Sequence, residues 1–266
     1  MKILNKENYG EWALITGASS GVGKEMALEI ASKGINIVIV ARRKELLEEL
    51  ANEIKEKYEV QTNVIVADFS TEEAIGYVIE ECNELEIGLL VNNVGYALTG
   101  EFSENTAEDE LSLLNVNIKT PTLLAHYFSQ QMKERRKGGI IFVSSIMALG
   151  AAANWASYNA SKAHNLLLAE GISEELKPYG INVIALTPGS IKSGFAKRSS
   201  TKAMPMALNP RRVAKCGLWM MGRKRTHTAG LINKFIAFST RLTPRFINTK
   251  IFSLVVRMLN NKEKQI

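Results

Sequence analysis

The stretch Trp12-Ala-Leu-Ile-Thr16-Gly17-Ala-Ser19-Ser20-Gly21-Val22-Gly23-Lys-Glu-Met26 decides the fold of this chain. A short apolar run ends in glycines at 17, 21 and 23, and the pattern then turns helical through Val22, Met26, Ala27 and Ile30. A strand, a tight turn and a helix N-terminus in that order aim backbone N–H groups and the positive end of the helix dipole at one point. That arrangement binds a pyrophosphate. The spacing is G-x-x-x-G-x-G, so the better-known G-x-G-x-x-G fingerprint does not apply directly. A glycine-rich turn that merely closes a strand–helix junction is the plain alternative, and the flanking strand and helix signals weigh against it.

Outward from this turn, apolar β-rich runs recur at 13–15, 35–40, 63–67, 88–91, 139–143 and 181–186. Helical patterns fall between them, for example over 44–57 and 160–176. Buried strands alternating with helices predict an α/β domain with one doubly wound parallel sheet, of Rossmann type, helices on both faces, and a crevice at the carboxyl ends of the strands. Thr16-Gly17, Asp68, Asn92-Asn93, Ser144-Ser145 and Pro188-Gly189 all fall just beyond such ends. At 266 residues the chain is ample for one large core and short for two. No linker or repeat interrupts it before the last quarter.

Tyr158-Asn-Ala-Ser-Lys162 places a tyrosine and a lysine four apart, one helical turn on one face. An ammonium beside a phenol stabilises the phenolate, so the tyrosine is expected to exchange a proton nearer neutral pH than its usual value near 10. Thirteen residues upstream, Ser145 closes the run Ile140-Ile-Phe-Val-Ser-Ser145, where a hydroxyl can orient a carbonyl oxygen for that proton. Ser144 is the alternative for that position.

Thr16-Gly17-x3-Gly21-x-Gly23, Asn92-Asn93-Val94-Gly95, Asn117, Ser145, Tyr158-x3-Lys162 and Pro188-Gly189 resemble, in order and spacing, the short-chain dehydrogenase/reductase family over roughly 10–195. The resemblance implies that Tyr158 is the proton donor to the substrate oxygen, and that Lys162 lowers its pKa and holds the nicotinamide ribose. It implies that Ser145 bonds the carbonyl and that Asn117 completes a water-linked relay from Lys162. Asn117 has the alternative of capping a helix break before Pro121, as does Asn115. The same resemblance puts the cofactor against Thr16, Gly17, Ser19, Ser20, Gly21, Val22, Gly23, Asn93, Gly95, Pro188, Gly189 and Ile191. Asp68 would contact the adenine, while Ser70 and Glu73 read as a capping box for the next helix. Two departures stand out. Val94 replaces the usual alanine of Asn-Asn-Ala-Gly, and Ser193 replaces the usual threonine that holds the nicotinamide carboxamide. Val66-Ala-Asp68-Phe-Ser70 with Asn92-Asn-Val-Gly95 resembles the branch of 3-oxoacyl-CoA reductases and 17β-hydroxysteroid dehydrogenases. A lipid-like ketone or acyl thioester is the expected substrate on that ground. A small polar alcohol or sugar is the enzymatic alternative, and a non-catalytic NADP(H)-binding sensor or scaffold the alternative of another class.

Charge selects the cofactor. The second strand ends Val40-Ala41-Arg42-Arg43, with no carboxylate to bond a ribose 2′-hydroxyl and two guanidinium groups suited to a 2′-phosphate. NADP(H) is expected, carried mainly by Arg42, with one of the two arginines opening a solvated helix.

The overall charge of +6 conceals a split. From Lys192 onward the chain carries 17 of its 33 basic residues and one of its 27 acids, a net of +16 against −10 for 1–191. Such asymmetry points to an anionic partner of the C-terminal part. There, Ile247, Ile251, Leu254, Val255 and Met258 fall at near-helical spacing among basic residues. The expected organisation is a catalytic domain over 1–230, with a substrate lid within 190–210, and a basic amphipathic helical extension over 231–266. That extension either lies in a membrane interface or packs on its own domain or a subunit interface. No apolar run is long enough to span a bilayer.

The polar N-terminus is expected to run directly into the first strand and lacks the apolar core of a signal peptide. Two cysteines, Cys82 and Cys216, and three scattered histidines give no metal spacing, consistent with a cytoplasmic protein that needs no metal. No nucleic-acid partner is expected. Leu166, Leu167 and Ile172 on the helix bearing Tyr158 suit a homodimer or homotetramer.

Overall fold

In the computed structural model, which describes residues 4–195, 199 and 207–259, the apolar runs form the strands of one sheet, buried except at its edge strand, Thr62–Val66. They are β1 (Trp12–Thr16), β2 (Asn36–Ala41), β3 (Thr62–Val66), β4 (Ile87–Asn92), β5 (Gly138–Val143) and β6 (Ile181–Leu186). All residues of β2, β4 and β5 are buried, the pattern of a sheet covered on both sides. Successive side chains point to opposite faces. Ile37 and Ile39 pack toward α2 (Gly21–Ala31) and α3 (Lys44–Lys57), with Met26, Leu47 and Leu50. Val38 and Val40 join the other layer, with Val78, Phe128 and Leu166. That layer belongs to α4 (Ala74–Glu81), α6 (Thr120–Arg135) and α7 (Ala156–Leu176).

The sheet is wholly parallel, in the order β3-β2-β1-β4-β5-β6 followed by a seventh strand beside β6. The order reverses between β1 and β4, so the first and fourth strand ends open a crevice at the switch point. The seventh strand, β7 (Thr226–His227), is two residues long and escapes sequence reading because no periodicity registers over two residues. The N-terminus also differs from expectation. It forms a one-turn helix, α1 (Lys6–Tyr9), whose fully buried Tyr9 accepts a bond from Asn182 Nδ2 at 2.8 Å. An added Cβ on Gly88 would meet the Tyr9 carbonyl at 1.8 Å, so glycine is what admits this turn beneath the sheet.

After β4, α5 (Ala107–Leu114) passes into a π-helical turn, Asn115–Lys119, before α6. Such turns displace one residue of the ladder and recur at functional positions. Beyond β6, the chain runs through α8 (Pro210–Met220), α9 (Leu231–Leu242) and α10 (Arg245–Leu259). Phe252 and Val256 of α10 pack with Ile146, Met147, Trp155 and Tyr158. The expected extension therefore folds back on its own domain through 259. The stripe Ile247, Ile251, Leu254 and Met258 is not its packed face, since Asn248, Phe252 and Val256 are buried instead. Both sectors of α10 are apolar, and spacing alone does not say which one meets the core.

Candidate active site

The carboxyl ends of the strands open into a cleft of about 1300 Å³, with the glycine turn at one end and α9 and α10 at the other. Gly17 holds φ +67°, a conformation glycine adopts without steric cost. Thr16 Oγ1 donates to Val91 O and accepts from the N–H groups of Asn93 and Val94, at 3.0 and 3.1 Å. Asn93 Nδ2 donates back to the Thr16 and Gly17 carbonyls. These bonds tie β1 to β4 where the sheet order reverses. Thr16 is fully buried and Gly23 lies inside the first turn of α2, so both sit behind the cleft wall rather than on it. Gly17, Ser19, Ser20, Gly21 and Val22 face the cleft, as do Asn93 and Gly95.

Ser20 precedes α2 without a side-chain cap, and no acid occupies the first turn. The helix thus presents uncapped N–H donors and its positive end to the cleft, which fits a dinucleotide's diphosphate. Arg43 Nη2 donates to Ser19 Oγ at 2.8 Å and Ser20 Oγ at 3.3 Å, so it folds back over the turn while its backbone caps α3. Arg42 pairs with Asp68 at 3.4 Å. Asp68 also accepts from the N–H and hydroxyl of Ser70 at 3.0 and 2.9 Å. Burial raises its carboxyl, but Ser70 and Arg42 outweigh burial and it titrates below its ordinary value. The capping box expected from Ser70 and Glu73 does not form. Helix α4 starts at Ala74 with no side-chain cap, because Ser70 is already held by Asp68.

The catalytic candidates converge. Tyr158 (6 % exposed) and Lys162 (4 % exposed) lie on α7, the ring against Trp155 at 5.3 Å and Phe195 at 5.7 Å. Ser145 lies near enough to the tyrosine to pull its pKa down, and its hydroxyl accepts from the Met147 N–H at 3.1 Å. Ser144 is excluded from that role because its hydroxyl donates to the Lys162 carbonyl at 2.7 Å. Lys162 Nζ donates to the Val143 carbonyl at 3.0 Å. An added Cβ on Gly95 would stand 3.0 Å from that ammonium and 3.2 Å from Asn117 Oδ1, so Lys162 and Asn117 meet over a glycine that leaves them room.

Asn117 lies in the π turn, fully buried. Its amide accepts from the Tyr96 N–H and donates to the Tyr96 carbonyl and Ser161 Oγ, at 3.1, 2.8 and 3.0 Å, and Asn165 bonds its main-chain carbonyl at 3.0 Å. Its side chain caps no helix end, and these bonds fix it beside Lys162 beneath the site. Asn115 instead bonds the Ser70 carbonyl.

Electrostatics departs from the expectation that the lysine depresses the tyrosine's pKa. Burial pushes Tyr158 up to about 12, against the pull of Ser145, and pushes Lys162 down to about 8. In a dry site the desolvation of each charged form exceeds what they gain from one another.

On the far wall, Pro188, Gly189, Ile191 and Ser193 line the cleft. Ser193 Oγ accepts from the Phe195 N–H at 3.3 Å. Ile191 bridges Leu208, which closes the base of the expected lid, and 196–198 and 200–206 of that lid lie outside the described residues. Trp155, Met147, Asn248, Ile251 and Phe252 also face the cleft. Sequence reading missed them as wall residues. Phe252 lies in an apolar run, but only packing shows that it turns toward Tyr158.

A family model described as short chain dehydrogenase matches residues 11–203. The chain belongs to the short-chain dehydrogenase family. It is 32% identical over 232 residues to 7beta-hydroxysteroid dehydrogenase of Clostridium sardiniense, covering 86% of this chain and 89% of that one. It is 36% identical over 197 residues to inactive hydroxysteroid dehydrogenase-like protein 1 of Homo sapiens, covering 73% of this chain and 60% of that protein's length. A solved 7beta-hydroxysteroid dehydrogenase structure superimposes with a TM-score of 0.87 at 29% identity, over 93% of this chain and 98% of that one. The parallel Rossmann sheet and its crevice are thus those of a short-chain dehydrogenase. Among the described residues, no helix is long and apolar enough to cross a membrane.

Proposed function

We propose that this protein is an NADP(H)-dependent reductase or dehydrogenase that interconverts a bulky, lipid-like ketone and its alcohol. The carrying observation is that Ser145, Tyr158 and Lys162 are buried together and line one cleft, with Lys162 held by the Val143 carbonyl. A bound nicotinamide supplies or accepts the hydride. The chain's own residues handle the oxygen and its proton. With its pKa raised to about 12, Tyr158 holds its proton at neutral pH and is poised as an acid toward a carbonyl oxygen. Ser145 offers a hydroxyl to the same oxygen. Lys162, lowered to about 8 but still mostly charged at neutral pH, favours the phenolate left after transfer.

Cofactor choice rests on Arg42 and Arg43. The end of β2 has no carboxylate, and the guanidinium groups of Arg42 and Arg43, which line the cleft there, would suit a 2′-phosphate. Because Asp68 engages Arg42 and Arg43 crosses the glycine turn, both arginines share the task. The turn 17–22, Asn93 to Gly95, and 188–193 would hold the rest of the dinucleotide.

Trp155, Met147, Ile251 and Phe252 give the substrate end large apolar walls, which favour a steroid or long acyl ketone over a small polar alcohol. The similarity to a hydroxysteroid dehydrogenase supports the same class. A homo-oligomer through the outer face of α7 fits Leu167, which is exposed, whereas Leu166 is buried in its own core. Size-exclusion chromatography tests that point.

The decisive assay is NADPH oxidation against steroid ketones, long-chain 3-oxoacyl thioesters and small hydroxy-ketones. Turnover confined to the bulky ketones supports the reading. NADPH binding without turnover across the set would point instead to a sensor, a serious rival because a similar human protein is named inactive.

A further inference from the structure

Helix α9 wears its apolar face outward. Leu231, Phe235, Phe238 and Leu242, spaced by four, three and four residues, form one stripe and are 82%, 71%, 59% and 73% exposed. On its other side Ile232, Asn233, Ile236, Ser239 and Thr240 line the cleft, Leu231 reaches its mouth, and no residue of the helix is buried. A helix serving only its own fold would bury the stripe that carries its two aromatic rings. Beside the stripe stand Lys234 and Arg241, and α10 adds exposed Phe246, Leu254 and Met258 with Lys250 and Arg257. Among the described residues, none of these four cations pairs with a carboxylate.

We infer that the outer face of α9, with its basic border, docks on an anionic lipid surface and lies in the plane of that surface. Charge chooses the occupant. A second copy set face to face would bring its own cations against these, in a region that carries one acid from Lys192 onward. A leaflet rich in anionic headgroups instead supplies counter-charge at the border and an apolar layer for the stripe. At 12 residues the helix is far short of the roughly 20 needed to span a bilayer, so it lies in the interface. Ile232 and Ile236 of the same helix line the cleft, so docking turns the cleft mouth toward the membrane. The inference stands on this surface and not on the identity of the substrate.

The test is co-sedimentation of the full chain with vesicles of phosphatidylcholine alone and with vesicles half phosphatidylglycerol. Binding is expected only to the anionic vesicles and to weaken with salt. Lys234→Gln with Arg241→Gln is expected to lower partitioning roughly 30-fold, from ~1 kcal/mol per basic residue near an anionic surface. Phe235→Ser with Phe238→Ser is expected to lower it at least roughly tenfold while leaving the thermal melt unchanged, because both rings are exposed. A Phe235→Trp variant reports insertion independently, through quenching by brominated lipid. Equal binding to both vesicles, or undiminished binding by the double serine variant, overturns the inference. So does loss of a lipid-free dimer in that variant, which would assign the stripe to a second copy.

Discussion

The Lys162 ammonium lies 5.8 Å from the centre of the Tyr158 ring and donates to the Val143 carbonyl, not to the phenol. The pair is held together by what surrounds it. Val143 ends β5, both residues ride α7, and Gly95 leaves the space that the ammonium fills. With the site dry, burial shifts each group toward its neutral form, the tyrosine up to about 12 and the lysine down to about 8.

Tyr158→Phe is expected to lower kcat by roughly 10²–10⁴-fold, the range of a lost general acid. Fluorescence titration should find NADPH affinity little changed, since a hydroxyl is all that is lost. In the parent, reduction should decline as pH rises through about 8, where Lys162 loses its charge, while Tyr158 keeps its proton to about 12. A flat profile through that range would separate the lysine from the proton transfer.

Lys162→Met is expected to inactivate the enzyme and yet stabilise the cofactor-free protein by about 1–3 kcal/mol at pH 7, because a buried charge is replaced by an apolar chain of similar length. The sign follows from a folded pKa of about 8 lying below the ordinary 10.5. The penalty is complete below about 8 and vanishes as pH rises through 10.5. Urea unfolding at both ends of that range measures it.

Arg43→Ala is expected to raise KM for NADPH roughly 10–100-fold, the worth of a charge-assisted hydrogen bond, and to leave KM for NADH nearly unchanged. Arg42→Asp should move preference toward NADH by placing a carboxylate where a ribose hydroxyl can meet it. Steady-state kinetics with both dinucleotides reads this out. Unchanged preference in both variants would remove the arginines from cofactor choice.

Phe252→Ala should destabilise the fold by roughly 3–5 kcal/mol, as for other buried aromatics, and should loosen α10 from Trp155 and Tyr158. Its kinetic mark is a larger rise in KM for bulky ketones than for small ones. Equal effects on both would detach α10 from substrate recognition.

Much of the site's residue set is legible in the sequence. Spacing puts Tyr158 and Lys162 on one helix face and Ser145 just past a β run, and the structure brings all three to one cleft. The glycine turn was found because a positive φ and a helix start leave a local imprint. The directions taken by long side chains were not legible. Arg42 meets Asp68, Arg43 reaches back across the turn, and Ser144 rather than Ser145 holds the Lys162 carbonyl. Each choice depends on a neighbour far away in the chain.

By itself the sequence determined six of the seven strands, the main helices between them, the glycine turn and the tyrosine–lysine spacing, since those depend on periods of two and 3.6 residues and on glycine's backbone freedom. Tertiary structure alone decided that α10 closes the cleft through Phe252, that Asn117 is locked beneath it, and that burial sets the acid–base character of Tyr158 and Lys162. Burial and charge proximity are sums over residues brought together from distant parts of the chain, and no local pattern records them.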